Sequence, residues 1–177
     1  ISATTRKPRP GEENGREYLF KTKDEFDRMI DSDEMLEYAE VFGNIYGTPK
    51  KPVEHALANG MDVLFDVDWQ GGVKLRNSYL REFVVSIFIL PPSINELHNR
   101  LNNRGQDSPD VVRARMLKSK EEISHWRDYD YVLINDKVEE THKEIARIIR
   151  AERMKRFRRK DLQSFVNTLN EEYAERY

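Results

Sequence analysis

The 177-residue sequence predicts an α/β fold built around a parallel sheet. Apolar runs at 61–67, 83–90 and 130–135 are each followed by a helical pattern, as right-handed crossovers between parallel strands require. The first fifty residues, by contrast, carry short strand patterns and read as a small strand-rich insertion. Leu, Ile, Val and Phe make up about a quarter of the chain, enough apolar content for a folded core.

Residues 1–15 hold two prolines, two glycines and alternating charge, and read as a loop. Tyr18, Leu19 and Phe20 form a short strand. Thr22 and Glu25 stand at capping-box spacing, with Phe26, Met29 and Ile30 following at helical intervals. Residues 35–42 and 44–48 read as two strands about a Gly43-Asn44 turn signal. Pro52 at a first helical position and Gly60 just past the end frame a helix through Val53, Ala56 and Leu57. Residues 61–67 and 83–90 suit strands buried on both faces, the second stopped by Pro91-Pro92. Ser93 and Glu96 repeat the capping-box spacing, residues 103–109 form a polar loop, and Pro109 opens a helix reaching about Trp126. A third buried strand ends at Asn135, and from Val138 a helical pattern runs toward the end. In such sheets the ligand lies beyond the carboxyl ends of the strands, which puts Asp66, Asp68, Pro91-Pro92 and Asn135-Asp136 on one functional edge.

Thirty Lys and Arg against 32 Asp and Glu give a net charge of −2, which excludes a strongly polyanion-driven or polycation-driven protein. With 35% charged residues and a mean hydropathy of −0.81, long charge-laced surface helices are expected. No apolar run approaches the roughly 20 residues of a membrane-spanning helix, and no signal peptide is recognisable. The absence of cysteine excludes disulfides and thiolate chemistry and suits the cytoplasm. His55, His98, His125 and His142 lie far apart, so no zinc site is expected. Ile1 in place of Met leads us to expect that the natural N-terminus lies upstream. Residues 150–160 hold seven basic residues and one acid, and apolar residues recur near helical spacing as far as Leu169. We expect a C-terminal basic helix over 154–177, solvated in preference to contacting nucleic acid or another protomer.

Arg6 and Arg9 bracket Lys7-Pro8, where the fixed φ of proline aims two guanidinium forks at one anion, most naturally a phosphate. Tyr18 and Tyr46 add phenolic donors, and Glu37 lies in a short strand whose alternate side chains share a face.

The stretches SATTRKPRPGEENGREY, EVFGNIYGTP, FDVDWQGG, ILPPS, NRGQDS, YDYVLINDKVEE and IIRAER occur in order, and together they resemble guanylate kinases of the bacterial type over residues 1–153. The resemblance implies a P-loop nucleoside monophosphate kinase fold: a parallel sheet with flanking helices, a strand-rich GMP-binding subdomain and a lid. It implies transfer of the γ-phosphoryl group of ATP to GMP with Mg2+, giving ADP and GDP. The corresponding division is 1–52 for GMP binding, 53–153 for the core with a lid at about 103–115, and 154–177 for the C-terminal helix.

Position by position, Arg6, Arg9, Tyr18 and Tyr46 match residues that hold the GMP phosphate, and Ser2, Glu37, Thr48 and Asp68 match those that read guanine. Guanine offers adjacent N1–H and N2–H donors to one carboxylate, whereas adenine presents an acceptor there, so Glu37 is expected to select GMP over AMP. Asp66 matches an acid that supports the magnesium shell. Arg100, Arg104 and Arg115 match arginines of the lid and its flanks, and Asn135 matches a position near adenine. No stretch reads Gly-x-x-x-x-Gly-Lys-Ser/Thr. In the family that loop precedes the residue matching Ile1, so the given residues alone are not expected to be an active kinase. A non-catalytic guanylate-kinase-like module binding phosphorylated peptides is the alternative. GMP and ATP are the expected partners, neither membrane nor nucleic acid is, and a homo-oligomer is compatible with the sequence.

Overall fold

The computed structural model describes residues 1–103 and 109–177. They form two compact units, Ile1–Ser86 and Ile87–Tyr177. In the first, β1 (Ala3–Thr4), β2 (Leu19–Phe20), β3 (Met35–Val41) and β4 (Asn44–Pro49) make one sheet in the order β2-β1-β4-β3. Strand β1 runs parallel to β2 and antiparallel to β4, and β3 and β4 form an antiparallel hairpin. Helices α1 (Lys23–Asp31), α2 (Lys50–Ala58) and α3 (Trp69–Arg76) complete the unit.

Local chemistry explains most of these elements. The Thr22 hydroxyl accepts from Glu25 N while the Glu25 carboxylate accepts from Thr22 N, so the expected capping box starts α1. Helix α2 starts at Lys50, two residues before Pro52. It ends on Gly60 at φ +72°, where Gly60 N donates to Leu57 O and Met61 N to Ala56 O, the double bond of a Schellman cap. The β3–β4 hairpin turns at Phe42 and Gly43, both at positive φ, the twist that two-residue hairpin loops favour.

The loop expected over 1–15 is corrected at its start: Ala3 and Thr4 are fully buried in the middle of the sheet. The Thr4 hydroxyl donates to Ile45 O, and Leu19 and Lys21 donate their N–H groups to Ser2 and Thr4 carbonyls. These partners are distant in sequence, so local composition cannot reveal them. A first cluster buries Ala3, Phe26 and Met35, and a second buries Leu36, Val53 and Leu75.

The buried strand expected at 61–67 is also corrected. No strand pairs with it among the described residues, and only one of its faces is covered. Val63, Phe65 and Val67 pack on the second cluster while Leu64 is 91% exposed, so the chain keeps a strand's two-residue alternation without a ladder.

The second unit holds the parallel pair β5 (Ile87–Leu90) and β6 (Tyr131–Ile134) with α4 (Ile94–Asn103), α5 (Pro109–Ser124), α6 (Val138–Arg153) and α7 (Leu162–Arg176). Strand β5 is shorter than the expected 83–90, because Phe83 N and Val84 N bond back to Leu80 and Arg81 carbonyls and pairing begins at Ile87↔Tyr131. Val132 and Ile134 are exposed, so burial on both faces is not found here either. Ser93 Oγ accepts from Glu96 N at the start of α4, as the sequence predicts.

The basic helix expected over 154–177 is corrected too. Helix α6 ends at Arg153, and α7 contains one basic residue, Arg176, with Glu171, Glu172 and Glu175. Beside that end lies buried Glu152, whose carboxylate accepts from Tyr131 Oη and Lys155 Nζ, each at 2.7 Å, and faces Arg158 at 3.4 Å. Lys155 and Arg158 of the basic run thus meet Glu152, and Arg159 meets Asp161, outside any long helix.

Candidate nucleotide site

The site residues of the first unit gather on β3, β4 and the start of α3. Register opposes Glu37 to Thr48 and Ala39 to Tyr46, with a bulge between Met35 and Glu37. Met35 and Tyr38 then pack in the first cluster, while Leu36 lies in the second and Glu37 faces α3. Without the extra residue, strict alternation would put Leu36 and Glu37 on opposite faces.

Glu37 is 4% exposed, and Thr48 Oγ1 donates to its Oε1 at 2.7 Å. Its Oε2 lies where α3 has Gly71: a β-carbon there would sit 2.9 Å from that oxygen. Burial pushes the Glu37 carboxyl above the usual range, the Thr48 hydrogen bond opposes this, and the charge of Asp68 adds to it. Lys74 lowers it, with its ammonium 3.7 Å from the centre of the Tyr38 ring. Asp68 caps α3 by accepting from Gly71 N at 3.1 Å, and Gln70 Nε2 donates to its other oxygen. The site therefore holds a buried acceptor pair with a hydroxyl on one side and a second carboxylate at a helix start.

Tyr46 lies two residues before Thr48, on the same face of β4, about 7 Å away at strand spacing. Across the sheet Thr4 pairs with Tyr46, and Arg6 lies two residues further on. The Arg6 guanidinium lies 5.4 Å from the Tyr18 ring centre and 5.7 Å from that of Phe20, and Tyr18 meets Tyr46 edge-on at 5.9 Å. Arg6 Nη2 donates to Glu12 Oε1 at 2.9 Å, and Arg9 N donates to Glu12 Oε2 at 2.7 Å. That contact raises the Arg6 pKa and holds Glu12 below the usual carboxylate range. The turn that brings Glu12 back has Pro10 and Gly11 at its centre, Glu12 N donating to Arg9 O and Gly11 at φ +86°. Arg9 itself is exposed, and Ser2 lies half-buried beside β1.

The structure thus brings Arg6, Tyr18 and Tyr46 into one cluster and Glu37, Thr48 and Asp68 into another on the same small sheet. Asp66 is exposed in the unpaired segment. The other expected residues belong to the second unit. Arg100 Nε donates to Glu96 along α4, Arg115 lies half-buried on α5, and Asn135 follows β6 with its Oδ1 accepting from Thr141 Oγ1. Arg104 lies outside the described residues.

Glu12, Gly71 and Lys74 join the site without being expected there. The Pro10-Gly11 turn signal could have pointed to Glu12, whereas the approach of Gly71 to Glu37 exists only in the folded unit.

The fold matches the crystal structure of guanylate kinase from Anaplasma phagocytophilum with a TM-score of 0.81 and 42% identity, covering 95% of this chain and 82% of that one. The fold is that of the P-loop nucleoside monophosphate kinases. The model of the family described as guanylate kinase matches residues 1–152. Guanylate kinase of Cereibacter sphaeroides is 56% identical over 99% of this chain and 83% of its own length. That of Ruegeria pomeroyi is 55% identical over 99% and 82%, and that of Bradyrhizobium diazoefficiens 54% over 96% and 77%. The chain belongs to the guanylate kinase family.

Proposed function

We propose that the first unit holds GMP and that the protein moves the γ-phosphoryl group of ATP onto it, giving ADP and GDP. The observation that carries this reading is the buried Glu37 carboxylate, held by Thr48 and facing space that Gly71 leaves open. One oxygen pair accepts both guanine donors, while Thr48, Asp68 and Ser2 complete the edge. Arg6 and Arg9, with the hydroxyls of Tyr18 and Tyr46, hold the phosphate one strand step away.

In the reaction a GMP phosphate oxygen bonds the γ-phosphorus as the bond to the β-phosphate oxygen breaks, and the electron pair leaves with ADP. Arg100, Arg104 and Arg115 neutralise charge on the transferring group, and Asn135 faces adenine through its amide. Asp66 makes no hydrogen bond or ion pair among the described residues, so its carboxylate is available to hold magnesium-bound water. Magnesium carried with ATP supplies charge neutralisation at the phosphates. Residues 1–52 serve GMP and 53–153 the core and lid. No helix of the described residues is long and apolar enough to cross a membrane, and we read the protein as cytoplasmic. A phosphopeptide site is the less favoured reading, because a peptide phosphate makes no use of the Glu37–Thr48 pair.

Calorimetry with GMP, AMP and guanosine tests the assignment. GMP is expected to bind more tightly than AMP by at least about tenfold, the scale of one unsatisfied buried polar group. Equal affinity for the two removes Glu37 from the reading.

A further inference from the structure

Three groups from neighbouring elements act on the buried Glu37 carboxylate: the Thr48 hydroxyl of β4, the Asp68 carboxylate at the cap of α3, and the Lys74 ammonium near the end of that helix. The hydroxyl is neutral and the Asp68 charge repels, so Lys74 is the cation of the set. Burial and Asp68 both favour a protonated Glu37, and a nearby positive charge is what opposes them. Guanine recognition tolerates no such proton. A protonated carboxyl turns one acceptor into a donor and meets the N1–H and N2–H edge with the wrong group.

Helix α3 and strand β3 together place Lys74 for this task. It lies one turn beyond Gly71, where a β-carbon would stand 2.9 Å from Glu37 Oε2, and residues three apart are neighbours on a helix surface. The side chain crosses to β3, where Nζ donates to the Tyr38 carbonyl oxygen and lies 3.7 Å from the centre of the Tyr38 ring. A lysine exposed along its stem is thus pinned at its head. Tyr38 follows Glu37 in the chain and packs against the first cluster, so the ammonium is seated at a fixed point beside the carboxylate's own strand. Lys74 makes no ion pair among the described residues, which leaves its charge to the site.

We propose that Lys74 is a positioning and specificity-determining residue of the guanine site: pinned on the Tyr38 carbonyl and ring, its ammonium supplies the positive charge that lets Glu37 meet guanine as a carboxylate. The proposal rests on the reading that guanine is received at Glu37, and Lys74 acts through that residue. As pH falls, Glu37 takes up a proton and GMP affinity is lost with it. Removing the Lys74 charge moves that loss to higher pH and changes nothing well above it. A single charge at a part-exposed position moves a neighbour's titration by about half a pH unit. That is about threefold in GMP affinity on the acid side of the Glu37 midpoint.

Two measurements on the full chain test this: NMR titration of the Glu37 carboxyl carbon in the free protein, assigned with Glu37→Gln, and GMP calorimetry across the same pH range. Lys74→Arg should keep the wild-type midpoint, Lys74→Met raise it by about half a pH unit, and Lys74→Glu raise it about twice as far, an order set by charge and not by size. Relative to wild type, Lys74→Met should bind GMP about threefold more weakly at acid pH and equally well at the alkaline end, with circular dichroism unchanged. The GMP phosphate titrates alike in every variant and cancels from that ratio. A Glu37 midpoint unmoved in both Lys74→Met and Lys74→Glu overturns the inference. So does a loss of GMP affinity that is the same at every pH, which would make Lys74 a tie between α3 and β3 and nothing more. Wild-type indifference between GMP and AMP overturns the guanine reading itself, whatever the midpoints do.

Discussion

Glu37 combines two requirements that oppose each other. A buried carboxylate is costly to ionise, yet in the proposed reading the ionised form accepts both guanine donors. Its folded pKa lies above the ordinary glutamate value, so the folded state binds the proton more tightly than the unfolded chain does. Stability from this residue is therefore greatest at acid pH and falls as pH rises through the raised value. Glu37→Gln should raise Tm at neutral pH and flatten that slope while abolishing preference for GMP over AMP. Melting curves across the pH range check the first effect and calorimetry the second; an unchanged preference would clear Glu37 of base selection. Arg9→Ala should weaken GMP by about 1.5–3 kcal/mol, the scale of a charged hydrogen bond, and leave guanosine alone. Glu12→Ala should act in the same direction, because the carboxylate that orients Arg6 and ties Arg9 N is lost. If guanosine weakens equally in either variant, the loop supports the sheet and not a phosphate.

Helices α1 and α3 have different tasks although each starts on a side-chain cap. Thr22 stabilises α1 from the exposed surface, well before the Glu37–Thr48 pair in the chain. Thr22→Ala should lower stability by about 1 kcal/mol, the usual value of such a cap, with GMP affinity unchanged. Helix α3 positions Asp68 and Gly71 against β3. Gly71→Ala introduces a methyl 2.9 Å from Glu37 Oε2 and 3.0 Å from Val67 Cβ. Overpacking of this kind costs about 1–3 kcal/mol, and here it also displaces the carboxylate. Denaturant titration and GMP calorimetry should both register the change; full GMP affinity in this variant would mean that the close approach plays no part in binding.

Across the whole molecule the two units contain buried carboxylates of opposite sign in their response to pH. Burial raises the Glu152 pKa, but hydrogen bonds from Lys155 and Tyr131 outweigh it, so its folded value is lowered. The stability that Glu152 contributes is present above the ordinary glutamate value and lost as pH falls through the lowered one, the reverse of Glu37. Amide exchange from neutral pH to well below the ordinary glutamate value of about 4.3 should show β3 and β4 gaining protection first and β6 and α6 losing it below that value. Glu152→Gln should lower protection of β6 and α6 at neutral pH and abolish most of their acid sensitivity. Equal acid sensitivity in the variant would assign it to other groups.

Periodicity and turn chemistry act over a few residues, so they were legible without coordinates. The Thr22 box, the Gly60 cap, the hairpin about Gly43 and the helices opened at Pro109 and Val138 follow from that range of interaction. The residues proposed to read the base and hold the phosphate were singled out through the resemblance and through side-chain chemistry, a carboxylate for guanine and paired arginines for phosphate. Pairing partners forty residues away were not legible, which is why Ala3–Thr4 read as loop. Covering layers were not legible either: an apolar run looks the same whether one face is buried or two, and 61–67 proved to have one. Only the tertiary structure decided that Leu36 and Glu37 share a side of β3, that Gly71 makes room for a carboxylate, and that Glu152 meets Lys155 and Arg158. Each of these depends on through-space contacts between segments whose local patterns do not encode them.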